Sequence, residues 1–385
     1  SGAEGIRSGG KGGLPCPGAQ GGPWSAGRES FLIPHPLKVY RKLKTHALWA
    51  LDVGGGGGGG GGPPPPPRLV SQLRPTEVVT YRQREPQLPF LEDLLRREPA
   101  PGAALWVVSW GFDVPRQLRR LRGRPVAYHA HSSGYGFNLP PGVPVLAVSR
   151  NTLGYWGDRA PRHPLFLVPN ALEPKWLERG ARDRGDGAPS PRRPIDVLVQ
   201  QRKSSAFVLE QLVPELRRAG LRVEVQSGWV DDLVDLFNSA TVVLYDSADY
   251  WRGRGVSEGF GLPPLEALAC GCVVFSSFNH ALADSLEPGL VGHQIGCGTL
   301  AGDLERIRAA VAQPADWLPP AERLTSLLDA CAEPVLLERW RDALEAIDAH
   351  WRLRLGGEPA LTSAPRWWVR AGQLRGRLRR WLARG

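Results

Sequence analysis

The chain has 385 residues, a formal net charge of +10, and 42% hydrophobic and 22% charged residues. That length allows two domains, each with its own core, and the composition is that of a soluble globular protein. No apolar run of about 18 residues offers a membrane span, and no charged n-region leads into an apolar h-region as in a signal peptide.

The charge excess comes mainly from arginine and suits an anionic partner: a nucleotide, a membrane surface or nucleic acid. Zinc-finger, helix-turn-helix and RNP-type aromatic patterns are missing, which weighs against nucleic acid. Among the five cysteines, Cys270 and Cys272 have a spacing that suits neither a zinc knuckle nor a redox pair. Buried reduced thiols fit a cytoplasmic protein.

Residues 1 to about 30 are rich in Gly, Ser and Pro and read as disordered. Residues 31–53 hold a basic, partly apolar patch, either a helix or a strand-helix pair. Nine glycines and five prolines follow, Gly54 to Pro67, as a flexible then stiff linker. Glycine-rich loops cradle phosphates when set between a strand and a helix; this run is too long and uniform for that. Residues 1–70 are therefore assigned to a low-complexity segment.

From residue 77, short apolar runs alternate with helical stretches. EVVTY (77–81), ALWVVSW (104–110), PVAYHA (125–130), VPVLAVS (143–149) and PLFLVPN (164–170) read as buried parallel strands. LPFLEDLLRREP (88–99) reads as a helix with a proline stop. A charged stretch with Pro and Gly, 177–194, precedes a second series. Its strands are IDVLVQ (195–200), LRVEVQ (221–226), ATVVLYD (240–246) and VVFSS (273–277), with helices in FVLEQLVPELRRAG and VDDLVDLFNSA. Helical spacing returns in DLERIRAAVA and VLLERWRDALEAIDAHW. This alternation predicts an α/β, doubly wound architecture, divided into 71–176, 177–334 and a C-terminal helix with basic tail, 335–385.

The stretch SEGFGLPPLEALACG, Ser257 to Gly271, carries two carboxylates, Glu258 and Glu266. Pro263 and Pro264 fit the first turn of a helix, and the preceding glycines let backbone approach a ligand. Glu258 falls in the loop and Glu266 in the first helical turn, at an N-terminus suited to a diphosphate. The string resembles the E-x7-E motif of the retaining glycosyltransferases of family 4, the bacterial group 1 type, which have the GT-B fold of two Rossmann-like domains facing a cleft. The resemblance implies that Glu258 lies by the donor sugar and Glu266 binds the ribose. The backbone of Gly259, Phe260, Gly261, Leu262 and Pro263 would hold sugar hydroxyls and phosphates.

The resemblance extends over roughly 104–312. PVAYHAHSS places His129 where family members carry a histidine near the reaction centre, with His131 as its rival two residues on. VPVLAVSRNTLGYW and VPNALEP resemble architectural turns of the family. VLVQQRKSS stands where the family has an Arg and a Lys on the donor pyrophosphate, here Arg202 and Lys203, adjacent where the usual spacing is wider. SGWVDDL resembles the loop whose backbone meets the base, around Trp229 and Val230. Asp231 and Asp232 read as helix-capping acids. YDSADYWRGRGV is longer than the family loop, and its Arg252 and Arg254 are candidates for acceptor or phosphate.

The tail 366–385 has seven arginines, no acid, and Trp367, Trp368 and Trp381. A basic helix with Trp and Leu on another face is a membrane-interface pattern. In the resembled family a late helix also crosses back to brace the N-terminal domain.

The resulting expectation is a transferase, with 71–176 as acceptor domain and 177–334 as donor domain. It moves a sugar from a nucleotide-diphosphate sugar to a glycan, glycolipid or lipid-linked hydroxyl, without metal or other cofactor. It is cytoplasmic, with membrane contact through 366–385 and no nucleic-acid partner. A catalytically idle nucleotide-sugar binder of the same fold is the alternative, and a glycosidase built on Glu258 and Glu266 a weaker one.

Overall fold

Apolar runs without alternation need cover on both faces, which parallel sheets flanked by helices supply. A computed structural model of the chain describes residues 37–40, 65–97, 104–109, 111–182, 193–296, 298–362 and 366–382. It contains two such sheets, both within one contact unit, His35–Gly385.

The first lobe runs β1 (Leu37–Tyr40), α1 (Pro65–Val70), β2 (Thr76–Val79), α2 (Leu91–Arg97), β3 (Leu105–Ser109) and α3 (Val114–Arg120). It continues with β4 (Val126–Ala130), β5 (Val145–Ala147), α4 (Arg150–Arg159) and β6 (Leu165–Leu167). Strand order is β2-β1-β3-β4-β5-β6, all parallel. Successive side chains take opposite faces. Trp106, Val108, Val126, Tyr128 and Val145 pack with Leu91, Val114, Leu118 and Trp156 of α2, α3 and α4.

β1 fits the strand-helix option for residues 31–53, while its place in the sheet, together with α1, corrects the assignment of residues 1–70 to a low-complexity segment apart from the first lobe. β1 is hydrogen-bonded between β2 and β3, in the body of the sheet. Pro65 to Pro67, assigned to a linker, open α1, where a missing N–H costs nothing. The Gly/Pro run thus connects a strand and a helix of one lobe. Residues 1–36 and 41–64, including the segment read as disordered, lie outside the described residues.

After α5 (Pro174–Arg179), the second lobe runs β7 (Ile195–Gln200), a π-helical turn Phe207–Leu212, α6 (Val213–Arg218), β8 (Val223–Gln226), α7 (Leu233–Asn238) and β9 (Ala240–Tyr245). α8 (Ala248–Arg252), α9 (Leu262–Ala269), β10 (Val273–Ser276), β11 (His293–Gln294) and α10 (Leu300–Ala312) complete it. Its order is β11-β10-β9-β7-β8, again all parallel. The π turn falls where one continuous helix is expected. Pro214 lacks an N–H and sits just after it, and a widened turn relieves a proline inside a helix. Residues 183–192, the middle of the stretch 177–194 read as a linker or surface loop, lie outside the described residues.

Three helices follow: α11 (Ala321–Ala330), α12 (Glu333–Leu355) and α13 (Arg366–Leu382). α12 returns to the first lobe. Its Trp340, Ala343, Leu344 and Ile347 bury against Leu105, Val107, Ala127 and Leu146 on the sheet face opposite α2. Arg74 grips Asp348 through both guanidinium nitrogens, at 3.2 and 2.8 Å. Trp351 Nε1 donates to the Val126 carbonyl at 3.0 Å, and His350 Nε2 bonds the Gly142 carbonyl at 2.7 Å. The apolar stripe of α12 is therefore the cover of the first sheet. Trp340→Ala should cost about 3–5 kcal/mol by deleting a buried indole, read as a lower denaturant midpoint.

Candidate active site

In an open parallel sheet, ligands bind beyond the carboxyl ends of the strands where the strand order reverses. In the second sheet that point lies between β7 and β9, since β8 is added on one side of β7 and β9 on the other. The segments leaving it are Gln201–Ser205 after β7 and Asp246–Ser247 after β9. Glu258 is brought to the same place and is 4% exposed.

A buried carboxyl needs donors to replace water. Glu258 Oε2 accepts from Tyr245 OH at 2.7 Å, Trp251 Nε1 at 2.7 Å and Ser247 Oγ at 3.1 Å. Lys203 Nζ stands 3.7 Å from Oε1 and 3.5 Å from Tyr245 OH, and lies 4.8 Å from the centre of the Trp251 ring. Lys203 has φ +73°. A left-handed residue other than glycine costs about 1–2 kcal/mol, and such conformations gather at functional sites. Arg202, paired with Lys203 by sequence, stands exposed at the surface.

Gly261 caps α9 with φ +86°, a conformation only glycine adopts freely. Helix α9 starts at Leu262, with Pro263 and Pro264 in its first turn. Glu266 is consequently its fifth residue, in the second turn and not the first. It is 3% exposed. Burial, then the nearby charge of Glu173, pushes its carboxyl up to about 8, opposed by Lys175 and Lys203.

The carboxyl end of β4 meets this loop. A Cβ at Gly259 would collide with the His131 carbonyl oxygen, so the two backbones touch only because residue 259 is glycine. Beside this crossing, Ser132 Oγ donates to the Ser257 carbonyl at 2.6 Å and accepts from Ser257 N–H at 3.0 Å. Ser133 N–H and Oγ reach Ser257 Oγ at 3.0 and 2.8 Å, and Asn151 Nδ2 reaches it at 3.3 Å. Serines of one lobe thus hold the backbone next to Glu258 in the other.

His129 and His131 are joined, Nδ1 to Nε2, at 3.0 Å. Ser109 Oγ also lies 3.2 Å from His129 Nδ1. His129 packs edge-on to Trp340 of α12, 5.3 Å between ring centres, and its Nε2 is buried without a hydrogen-bond partner. Burial lowers His129 to about 3 and, together with His129, takes His131 well below its ordinary value. Both rings are neutral at neutral pH. His131 is the one beside Gly259, and His129 lies behind it under Trp340.

No family model matches the chain, and no curated protein matches it. Solved structures do. Sucrose-phosphate synthase from Thermosynechococcus elongatus aligns with TM-score 0.54 at 12% identity, covering 82% of this chain and 99% of its own. A glycosyltransferase from Rickettsia africae gives 0.54 at 10%, covering 83% and 99%. Anabaena HepE in complex with UDP gives 0.51 at 15%, covering 81% and 100%. The fold is GT-B.

In this GT-B frame Lys203, Glu258, Gly259 and His131 come together at the facing strand ends. Phe260, Leu262 and Pro263 continue the same loop into α9, and Val230 is half-buried in the loop after β8. Trp229 is 67% exposed and donates to Asp231 at 3.1 Å. Asp232 caps α7, accepting from Val234 and Asp235 N–H at 2.9 and 3.3 Å. Arg252 pairs with Asp249 and Arg254 covers the Tyr250 ring at 3.5 Å. The residues that sequence reasoning missed are Tyr245, Ser247, Trp251 and Ser257. Their signal was faint: a strand-end tyrosine, and an indole inside the loop that is longer than the family's. Among the described residues, no group of three His, Cys, Asp or Glu is placed to hold a metal ion.

Glu266 makes a pH signature. A carboxyl at about 8 when folded and near 4.3 when unfolded keeps its proton only in the folded state. Its contribution is full below the unfolded value and is lost as pH rises toward about 8. The thermal midpoint of the native protein should therefore fall relative to Glu266→Gln between those limits. Parallel melting curves across that range check it.

Proposed function

We propose that the protein is a retaining glycosyltransferase of the family 4 type, moving a hexosyl group from a nucleotide-diphosphate sugar to an acceptor hydroxyl. The observation that carries this reading is Lys203 Nζ held 3.7 Å from Glu258 at the reversal point of the second sheet, beside the start of α9. An ammonium and a helix N-terminus are both placed for a departing diphosphate. Preorganised charge of this kind stabilises negative charge as it develops.

The donor lies in the second lobe. Glu258 orients the sugar, the backbone from Gly259 to Pro263 meets its hydroxyls and the phosphates, Glu266 meets the ribose and the Val230 loop the base. His131 faces the reaction centre from the first lobe, and His129 positions it. Being neutral, the pair hydrogen-bonds a hydroxyl without adding charge. UDP is the donor nucleotide to test first, because Anabaena HepE was solved with UDP. The acceptor is a glycan, glycolipid or lipid-linked hydroxyl, as in polysaccharide biosynthesis. The protein works from the cytoplasmic side of a membrane, and no metal or other cofactor has a role.

One observation favours the second reading, an idle nucleotide-sugar binder. Three protein donors already occupy Glu258 Oε2 and Lys203 faces Oε1, so both oxygens already have protein partners.

Calorimetric titration with UDP, followed by turnover of UDP-sugars, decides between them. Native protein should bind UDP, and Glu266→Ala should not. Lys203→Ala should lower kcat by about 10²–10³-fold, the scale for losing one preorganised charge or donor, with KM changed less. NMR of the product anomer should show retention. Binding without any turnover would leave the idle binder standing, and inversion would overturn the retaining assignment.

A further inference from the structure

Large apolar side chains exposed singly are ordinary, but a concentration of them marks an interaction surface. Among the described residues eleven large hydrophobics are exposed, and seven of them lie between Leu353 and Leu382. Four belong to α13: Trp367, Trp368, Leu374 and Leu382. At 3.6 residues per turn Trp367, Ala371, Leu374 and Leu382 recur on one stripe. The helix sequence holds six arginines and no acidic residue, and Arg370, Arg375 and Arg379 are exposed.

That pattern discriminates between occupants. A second copy of α13 would set two acid-free, arginine-rich helices side by side, and like charges repel. Nucleic acid would use the arginines but leave the tryptophan and leucine stripe in water. An anionic bilayer satisfies both faces: the stripe enters the acyl boundary while arginines meet headgroup phosphates. Seventeen residues make a helix about 25 Å long, and no helix among the described residues is apolar enough to cross a membrane. α13 would lie in the plane of the interface.

We propose that α13 is an in-plane anchor for an anionic lipid surface. Its tether sets what is anchored. α12 is bonded to the first lobe at Gly142 through His350, and Ala360 would lie against a Cβ at Gly142. Five residues separate Ala360 from Arg366, so α13 is leashed to the first lobe. This deepens the transferase reading, resting on it only for the inference that a lipid-linked acceptor is presented to that lobe.

The test is sedimentation of the full chain with vesicles of phosphatidylcholine alone or with about one-third phosphatidylglycerol. The protein should go down with the anionic vesicles, leave the neutral ones in the supernatant, and bind less as salt rises. Arg370→Gln and Arg375→Gln should each weaken binding about fivefold. Trp367→Ser with Leu374→Ser should abolish it, with the melting curve unchanged because both side chains are exposed.

Equal binding to neutral vesicles, no binding to either, or variants that bind like the native chain would overturn the proposal. An α13-dependent dimer without vesicles, or α13-dependent retention of duplex DNA without vesicle binding, would do so too. A titration with UDP, GDP, ADP and TDP on the same preparation separates the two readings: binding of any one of them without vesicle binding sinks only the anchor, and vesicle binding without binding of any of them sinks only the transferase.

Discussion

A carboxyl group removed from water has to be met by donors, and Glu258 meets this need with three residues of the stretch just before it and one, Lys203, from the other side of the strand reversal. Tyr245 ends β9, Ser247 and Trp251 come from the loop and helix that follow, and Lys203 comes from the turn after β7. Each of these bonds is worth more than an exposed one, because its loss would leave a buried polar atom unpaired. The cluster therefore fixes the turn after β7 in its left-handed conformation and the loop ahead of α9 at once. Local strain at Lys203 is tolerable because its ammonium has three neighbours that hold it there.

The same economy of space governs the meeting of the lobes. Gly259 lies flush against the His131 carbonyl, and Ser257, one residue from Glu258, is bonded by Ser132 and Ser133. On the far side of the first sheet, α12 covers the opposite face and presses Trp340 onto His129. The histidine pair is thus enclosed from two directions. Enclosure explains its neutrality, since an imidazolium there would be desolvated beside a second ring. Trp340, His129 and His131 thus form one continuous chain of contacts from α12 to the crossing at Gly259.

Much of this was legible in the sequence, for a definite physical reason. Strands β3, β4, β5, β7, β9 and β10 are buried on both faces or nearly so, and unbroken runs such as VLV and VVF announce them. Gly261 with Pro263 and Pro264 announced the start of α9, though the helix begins early enough to carry Glu266 into its second turn. β1 was only half legible, as one of two options for 31–53, because LKVY is short, holds a lysine and sits near a Gly/Pro run; β11 was hidden because two residues carry no period. The partners of Glu258 were hidden for another reason. A tyrosine at a strand end and a tryptophan in a long loop look like core or surface until folding sets them around one oxygen. The arginines of that loop drew attention by charge, yet Arg252 and Arg254 pair with Asp249 and Tyr250 beside them. Charge is visible in a sequence, and the direction in which it points is not.

Glu266 shows how the site's electrostatics fit together. In the second lobe the Lys203 ammonium stands against the Glu258 carboxyl, and the α9 N-terminus lies beside them. An ionised Glu266 beside them would add repulsion to every anionic ligand. Burial and the neighbouring Glu173 raise it to about 8, so at neutral pH it is a neutral carboxylic acid able to donate one hydrogen bond and accept others. Ribose hydroxyls suit such a group, and a phosphate nearby would hold its proton more firmly still. The carboxyl that the resemblance assigns to the ribose is thus the one that this environment keeps uncharged, while the carboxyl nearest Lys203 is the one surrounded by donors.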